Sequence, residues 1–178
     1  DDGYQNKTDQ VKTLTIDEHL KGVTNQQLGT EFHKILQILD YKDFDNFEKI
    51  QKTINRVCNV EKLDEKTDLT ITVQKVSKAL EILNNLFGEK VVQKEKSFIL
   101  QAKYNQVVQS KYEDLVLVQG IIDAFCIDGD NAILVDFKLS NTKSAQGLAQ
   151  RYQKQLELYA LAIQNAYGIK NIKKYILN

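Results

Sequence analysis

The amino-acid sequence predicts an α/β domain, a mixed sheet flanked by helices, in the chain order helices, three strands, helix, strand. Three observations carry that prediction. Apolar residues recur at three- and four-residue spacing as far as Phe87, the period shortens toward two after Gly88, and one further helical stretch separates a strand pair from a final strand-like run. At 178 residues, 42% hydrophobic and 27% charged, the chain suits a single domain, residues 1–178, with a substantial core.

Residues 1–19 are polar and weakly patterned and read as an irregular lead-in. Thr24 with Gln27 makes a capping box, and Leu28, Phe32, Ile35, Leu36 and Leu39 follow at helical spacing on a first helix that also carries Gly29 and His33. A second helix is predicted over residues 46–57 on Phe47, Ile50, Ile54 and Val57. A third is predicted over 70–87 on Val76, Leu80, Leu83 and Leu86, closed by Gly88, so that 46–87 reads as a helical insertion. A strand over 91–103 should place Val91, Gln93, Glu95 and Ser97 on one face and Val92, Lys94, Lys96 and Phe98 on the other. The apolar, β-branched runs 115–127 and 132–138, joined by Asp128-Gly129-Asp130-Asn131, form a hairpin. A loop over 139–143 leads to an amphipathic helix on Leu148, Tyr152, Leu156, Tyr159 and Ile163, ended by Gly168, and a strand over 172–177 completes the order. The chain lacks Met and stops inside that strand, which reads as a piece cut from a longer protein.

Composition narrows the function classes only slightly. No apolar run approaches the ~20 residues of a membrane span, and no secretory signal is present. Cys58 and Cys126 have neither metal-ligand nor disulfide spacing, which fits a soluble protein in a reducing cytoplasm. The 24 basic residues, nearly all lysine apart from Arg56 and Arg151, balance 24 acidic ones, so any nucleic-acid surface must be a local patch.

The hairpin register is the most informative local feature. A turn on Gly129 and Asp130 pairs Ile127 with Ala132 and, counting outward, sets Asp123 opposite Asp136, while Lys138 shares the face of Asp136. Directly opposed residues stand roughly 4.5–5.5 Å apart at Cβ, and like charges there repel. The flanking residues Ile121, Ile122, Ala124 and Phe125, with Ile133, Leu134, Val135 and Phe137, mark interior sheet. A single lysine cannot neutralise two buried carboxylates, whereas a divalent cation can, and oxygen ligands favour magnesium or manganese. The plainer alternative has the acids capping strand ends or pairing with surface lysines.

At these residues the chain resembles the PD-(D/E)xK nucleases, in their RecB-like branch. Gly120-Ile121-Ile122-Asp123 and Val135-Asp136-Phe137-Lys138 match the hairpin motifs, Gly29-Thr30-Glu31-Phe32-His33 the upstream Gly-x-x-x-His helix, and Gln155-Leu156-Glu157-Leu158-Tyr159 the downstream Gln-x-x-x-Tyr helix. The stretch from Tyr152 to Tyr159 is similar to the nuclease domains of AddA subunits in bacterial AddAB helicase-nucleases.

The resemblance implies a restriction-endonuclease-like αβββαβ core. It implies Mg2+ or Mn2+ held by His33, Asp123, Asp136 and the backbone carbonyl of Phe137, and Lys138 positioning or activating the attacking water. Glu95 is the candidate for the acid that the family often carries in the preceding strand. Gln155, Tyr159 and Tyr152 would steady the site and the DNA, and Lys143, Arg151 and Lys154 are candidate phosphate contacts, although scattered lysines are usually solvated surface. Phe137 and Leu139 depart from the family's usual Tyr and Thr around the lysine. No cysteine set matches the iron–sulfur cluster of some relatives, and no Gly-x-x-x-x-Gly-Lys-Ser/Thr loop for ATP occurs.

The implied function is exonuclease-type phosphodiester hydrolysis on single-stranded DNA or a duplex end, in double-strand-break repair and recombination. The implied partners are a helicase domain of the same full-length chain and a second helicase-nuclease subunit. Two rivals stand beside it: an inactive DNA-binding domain of the same fold, and a scaffold whose helices over 46–87 dock other proteins.

Overall fold

The computed structural model describes residues 10–16, 25–58, 65–139 and 145–178. Its elements are β1 (Lys12–Leu14), α1 (Asn25–Ile38), α2 (Phe47–Val57), α3 (Glu65–Phe87), β2 (Val92–Lys103), α4 (Tyr104–Val107), β3 (Leu115–Asp128), β4 (Asn131–Phe137), α5 (Ala145–Tyr167) and β5 (Asn171–Leu177). The five strands form one mixed sheet in the order β1-β5-β4-β3-β2. β2, β3 and β4 pair antiparallel in sequence, whereas β5 lies parallel to both β4 and β1. The helix–strand alternation around this sheet is the predicted α/β class.

The β3–β4 turn needs only Gly129 and Asp130. Gly129 takes φ +60° and Asp130 stays out of the left-handed region, as a tight hairpin turn with glycine at its first central position requires. A parallel β4–β5 pair cannot be joined by so short a turn. The connection runs through α5, which covers one face of the sheet and ends at Gly168, φ +67°.

Each sheet face buries its own core. On one, Phe32, Ile35 and Leu36 of α1, Ile50 and Ile54 of α2, and Val76, Leu80 and Leu83 of α3 pack on Ala124, Cys126, Val135 and Phe137. On the other, Leu148, Leu156, Ala160 and Ile163 of α5 pack on Phe125, Leu134, Ile172 and Ile176. Asn46 caps α2 by accepting a hydrogen bond from Lys49 N at 3.1 Å. The α2–α3 helices are therefore part of the main core.

Four sequence expectations change. Part of the supposed irregular lead-in is β1, which pairs Lys12–Leu14 with Tyr175–Leu177; three residues are too few for a pattern, and the strand exists only because β5 offers an edge. α3 starts at Glu65 rather than near 70. The short α4 has no signal in the apolar pattern; it turns the chain between β2 and β3, with Lys103 N donating to Gln106 Oε1 at 2.8 Å. The strict alternation expected along β2 fails at Glu95, where the backbone turns left-handed. The Thr24–Gln27 capping box and Lys143 lie outside the described residues.

Because the α3 side chains share one core with the sheet, Leu83→Ala should lower stability by roughly 2–5 kcal/mol. Chemical denaturation should show one cooperative transition moved to lower denaturant. A separate early transition confined to the helices would show that α2 and α3 pack independently.

Candidate active site

β3 and β4 leave their turn as ladder partners and remain so only as far as Ala124 and Val135. One step beyond, where the register sets Asp123 opposite Asp136, the ladder has ended. Asp123 instead accepts a hydrogen bond from the backbone N–H of Phe137 through Oδ2, at 2.7 Å. A side chain has taken the role of a strand carbonyl, and the strands part around two acids that are 8% and 1% exposed.

α1 and β2 bring further groups to this opening. His33 Nδ1 lies 3.4 Å from Asp123 Oδ1, and its ring meets Phe137 edge-on at 5.7 Å between centroids. On β2, the ladder with β3 is registered at Lys94↔Ala124 and Lys96↔Ile122 but not between them, at Glu95 and Asp123. Glu95 has φ +48°, a left-handed conformation that side-chain-bearing residues adopt only at a cost. Either side of it the strand's faces exchange. Val92 packs into the α1–α3 core and Lys94 reaches the α1 carbonyls, whereas Phe98 packs into the α5 core. The kink delivers Glu95 to the opening, where ligand atoms of His33, Glu95 and Asp123 all lie within 4.8 Å of one another.

Asp136 stands beside this trio rather than within it. Lys138 Nζ donates to its Oδ1 at 3.1 Å and lies 3.0 Å from Oδ2, yet the enclosed Oδ2 accepts no hydrogen bond of sound geometry from the described residues. Burial pushes the Asp136 pKa up to about 6 despite the opposing ammonium of Lys138. Burial works against the Lys138 ammonium, but the charge and hydrogen bond of Asp136 outweigh it and hold its pKa above the ordinary lysine value. For His33, burial likewise opposes protonation and the contact with Asp123 prevails, raising the pKa. Burial, then the charge of Asp123, raises Glu95.

α5 closes the other side. Tyr152 places its ring 5.1 Å from Lys138 Nζ, and Gln155 Nε2 donates to the hydroxyl of Tyr159 at 2.6 Å. Tyr159 meets Phe98 edge-on at 5.5 Å, and Phe98 lies over its cross-strand partner Gly120, where an added Cβ would stand 2.9 Å from the ring. Gly120 thus makes room for the aromatic pair that seats Tyr159. Arg151 and Lys154 are exposed on α5; Arg151 lies 5.4 Å from the Tyr152 ring.

Of the residues named from sequence, the fold brings His33, Glu95, Asp123, Asp136, Phe137 and Lys138 to one opening, with Tyr152, Gln155 and Tyr159 along its α5 side. Sequence reasoning missed Phe98 as the support of Tyr159; its position opposite Gly120 in the β2–β3 register was the available signal. It also missed Lys94, whose reach to α1 leaves no mark on the strand pattern.

These donors suit a divalent cation. One imidazole nitrogen and two carboxylates already converge, and the buried Asp136 Oδ2, which the Lys138 ammonium approaches at 3.0 Å without a well-formed hydrogen bond, keeps acceptor capacity for a cation. The set contains no thiolate: Cys58, after α2, and Cys126, on β3, are buried in the core between the sheet and α1–α3, each with its pKa raised first by burial.

The parting hairpin of this mixed sheet thus gathers two aspartates and a lysine at one opening. The chain belongs to the PD-(D/E)XK nuclease superfamily, whose sequence profile it matches over residues 8–177. Within that class it is similar to the A component of the ATP-dependent helicase/nuclease of Clostridium kluyveri, at 29% identity over 166 residues, 88% of this chain and 13% of the relative. The corresponding protein of a Thermoanaerobacter species is 28% identical over 174 residues, 93% of this chain and 14% of its own. RexA, the exonuclease/helicase component of Lactococcus lactis subsp. cremoris, is 26% identical over 161 residues, 88% and 13% respectively. The chain thus spans about 13% of the length of curated relatives it matches.

The raised Asp136 pKa carries a sign for stability. A carboxyl group that binds its proton more tightly when folded makes metal-free stability fall as pH rises from about 3.8 toward about 6, and leaves the ionised group a net cost near neutrality. Asp136→Asn should therefore raise the melting temperature of chelator-treated protein by a few degrees near neutral pH, the gain vanishing below the ordinary aspartate pKa. A fall near neutrality would mean that the ionised pair with Lys138 stabilises the fold.

Proposed function

We propose that this domain is a magnesium-dependent deoxyribonuclease that hydrolyses phosphodiester bonds, in exonuclease fashion, at single-stranded or duplex DNA ends. The carrying observation is the convergence of His33, Glu95 and Asp123 beside the Asp136–Lys138 pair, where the strands of one hairpin part. In this reading His33, Asp123, Asp136 and the Phe137 carbonyl hold Mg2+ or Mn2+, and Glu95 joins them. A bound cation of this kind supplies Lewis acidity, lowering the pKa of a water and offsetting charge on the phosphate oxygens.

The chain's own residues do the rest. Lys138, kept as an ammonium by Asp136, donates a hydrogen bond to the attacking water or a phosphate oxygen and so orients it toward phosphorus. A new P–O bond forms to the water oxygen, which gives up its proton to solvent, as the bond to the leaving nucleoside oxygen breaks and that oxygen takes up a proton from solvent. Tyr159, fixed by Gln155 and Phe98, and Tyr152 beside Lys138 limit where the strand can lie. Arg151, Lys154 and Lys143 are proposed phosphate contacts.

The kinship to helicase/nuclease proteins supports a wider assignment. We place the domain in a cytoplasmic helicase–nuclease acting in double-strand-break repair and recombination, with a helicase domain on the same full-length chain and a second subunit beside it. No helix among the described residues is long and apolar enough to cross a membrane.

Asp136→Ala and Lys138→Ala should each retain the far-ultraviolet spectrum of the fold and reduce Mg2+-dependent release of nucleotides from labelled DNA about a hundredfold or more. Undiminished cleavage in both variants sinks the assignment. Salt-sensitive DNA binding with no products at any metal concentration would replace it with the DNA-binding reading.

A further inference from the structure

A half-buried cation away from the carboxylates ties together two of the elements that carry the candidate metal ligands. Lys94, half-buried on β2, donates hydrogen bonds from Nζ to the backbone carbonyls of Leu36 at 3.0 Å and Leu39 at 2.5 Å, at the C-terminal end of α1. The last carbonyls of a helix lack partners within it and carry the negative end of its dipole, so an ammonium placed there is doubly favoured. α1 has no basic residue of its own in its last turn, and this cation comes from the sheet.

The same ammonium stands 3.8 Å from the centre of the Tyr41 ring, which stacks at 5.8 Å on Phe87, the last residue of α3. Lys94 is therefore held between α1, the turn after it, and the end of α3. Such a contact is strongest where water is excluded. Burial lowers the Lys94 pKa to about 8, against the pull of Asp40 and Asp43.

Position along the chain gives the tie its consequence. His33 lies one turn before Leu36 on α1, and Glu95 follows Lys94 on β2 in its left-handed kink. We propose that Lys94 is a positioning residue that sets the helix bearing His33 against the strand bearing Glu95, and so sets the spacing of the cation-binding trio. The inference rests on the metal-site reading of that trio. Lys94 touches neither substrate nor reacting atoms, and acts through the placement of His33.

The test uses Mn2+ alone, without DNA, titrated calorimetrically into the purified protein and into Lys94→Met, His33→Ala and the double variant. Lys94→Met keeps the length of the side chain and loses its charge and donors. It should weaken Mn2+ binding about tenfold, the scale on which groups that orient metal ligands act. Once His33 is gone, its placement no longer matters, so the double variant should bind no more weakly than His33→Ala alone. Undiminished binding by Lys94→Met, or losses that simply add, would overturn the positioning role. No Mn2+ binding by the unaltered protein would instead remove the metal site itself, a different failure.

Should Lys94→Met not fold, Lys94→Arg serves. Its longer planar head must push the end of α1 away, and a severalfold loss of Mn2+ affinity is expected while the fold persists. Unchanged affinity in that variant overturns the proposal as well.

Discussion

Charge buried at the point where β3 and β4 separate is the constraint on which the rest of the structure depends. Two carboxylates, Asp123 and Asp136, sit almost out of water among Ala124, Phe125, Val135 and Phe137. An interior of that kind tolerates ionised groups only when each is met by a donor, a counter-charge or a cation. Asp123 is met by the Phe137 amide and His33; Asp136 is met, incompletely, by Lys138. The site consequently concentrates cost in one place, and the two cores on either side of the sheet supply the stability that lets it persist.

Those cores also explain why so many separate elements meet at one opening. α1 is pressed against one sheet face by Phe32, Ile35 and Leu36, which aims His33 at the sheet's middle; α5 is pressed against the other by Leu148, Leu156 and Ile163, which aims Tyr152, Gln155 and Tyr159 toward it. Carboxylates from β2, β3 and β4 enter between the two layers. The left-handed Glu95 belongs to the same logic, because a regular strand would have kept the alternation of faces and left its carboxylate out of the trio.

Much of the fold was legible because each helix and strand buries one apolar stripe or face, and that periodicity is written locally. The Gly129 turn set the β3–β4 register correctly, Ile127 to Ala132 through Ala124 to Val135. Extending the same count to Asp123 and Asp136 had the right residues but the wrong contact: the acids do not face each other as ladder partners, since a carboxylate that can accept a buried backbone N–H outcompetes a repulsive pair. β1 was illegible for the opposite reason, being a three-residue strand stabilised by the edge it meets.

The sequence by itself determined the layer order, the hairpin, and the kinds of residue available for cation and phosphate chemistry, because these follow from patterns within a dozen residues. Only the tertiary structure decided which donors converge. It set Glu95 rather than Asp136 with His33 and Asp123, gave Asp136 to Lys138, and sent Lys94 to the end of α1. Those outcomes depend on how far apart packed elements come to rest, a distance set by the volumes of side chains remote in the chain.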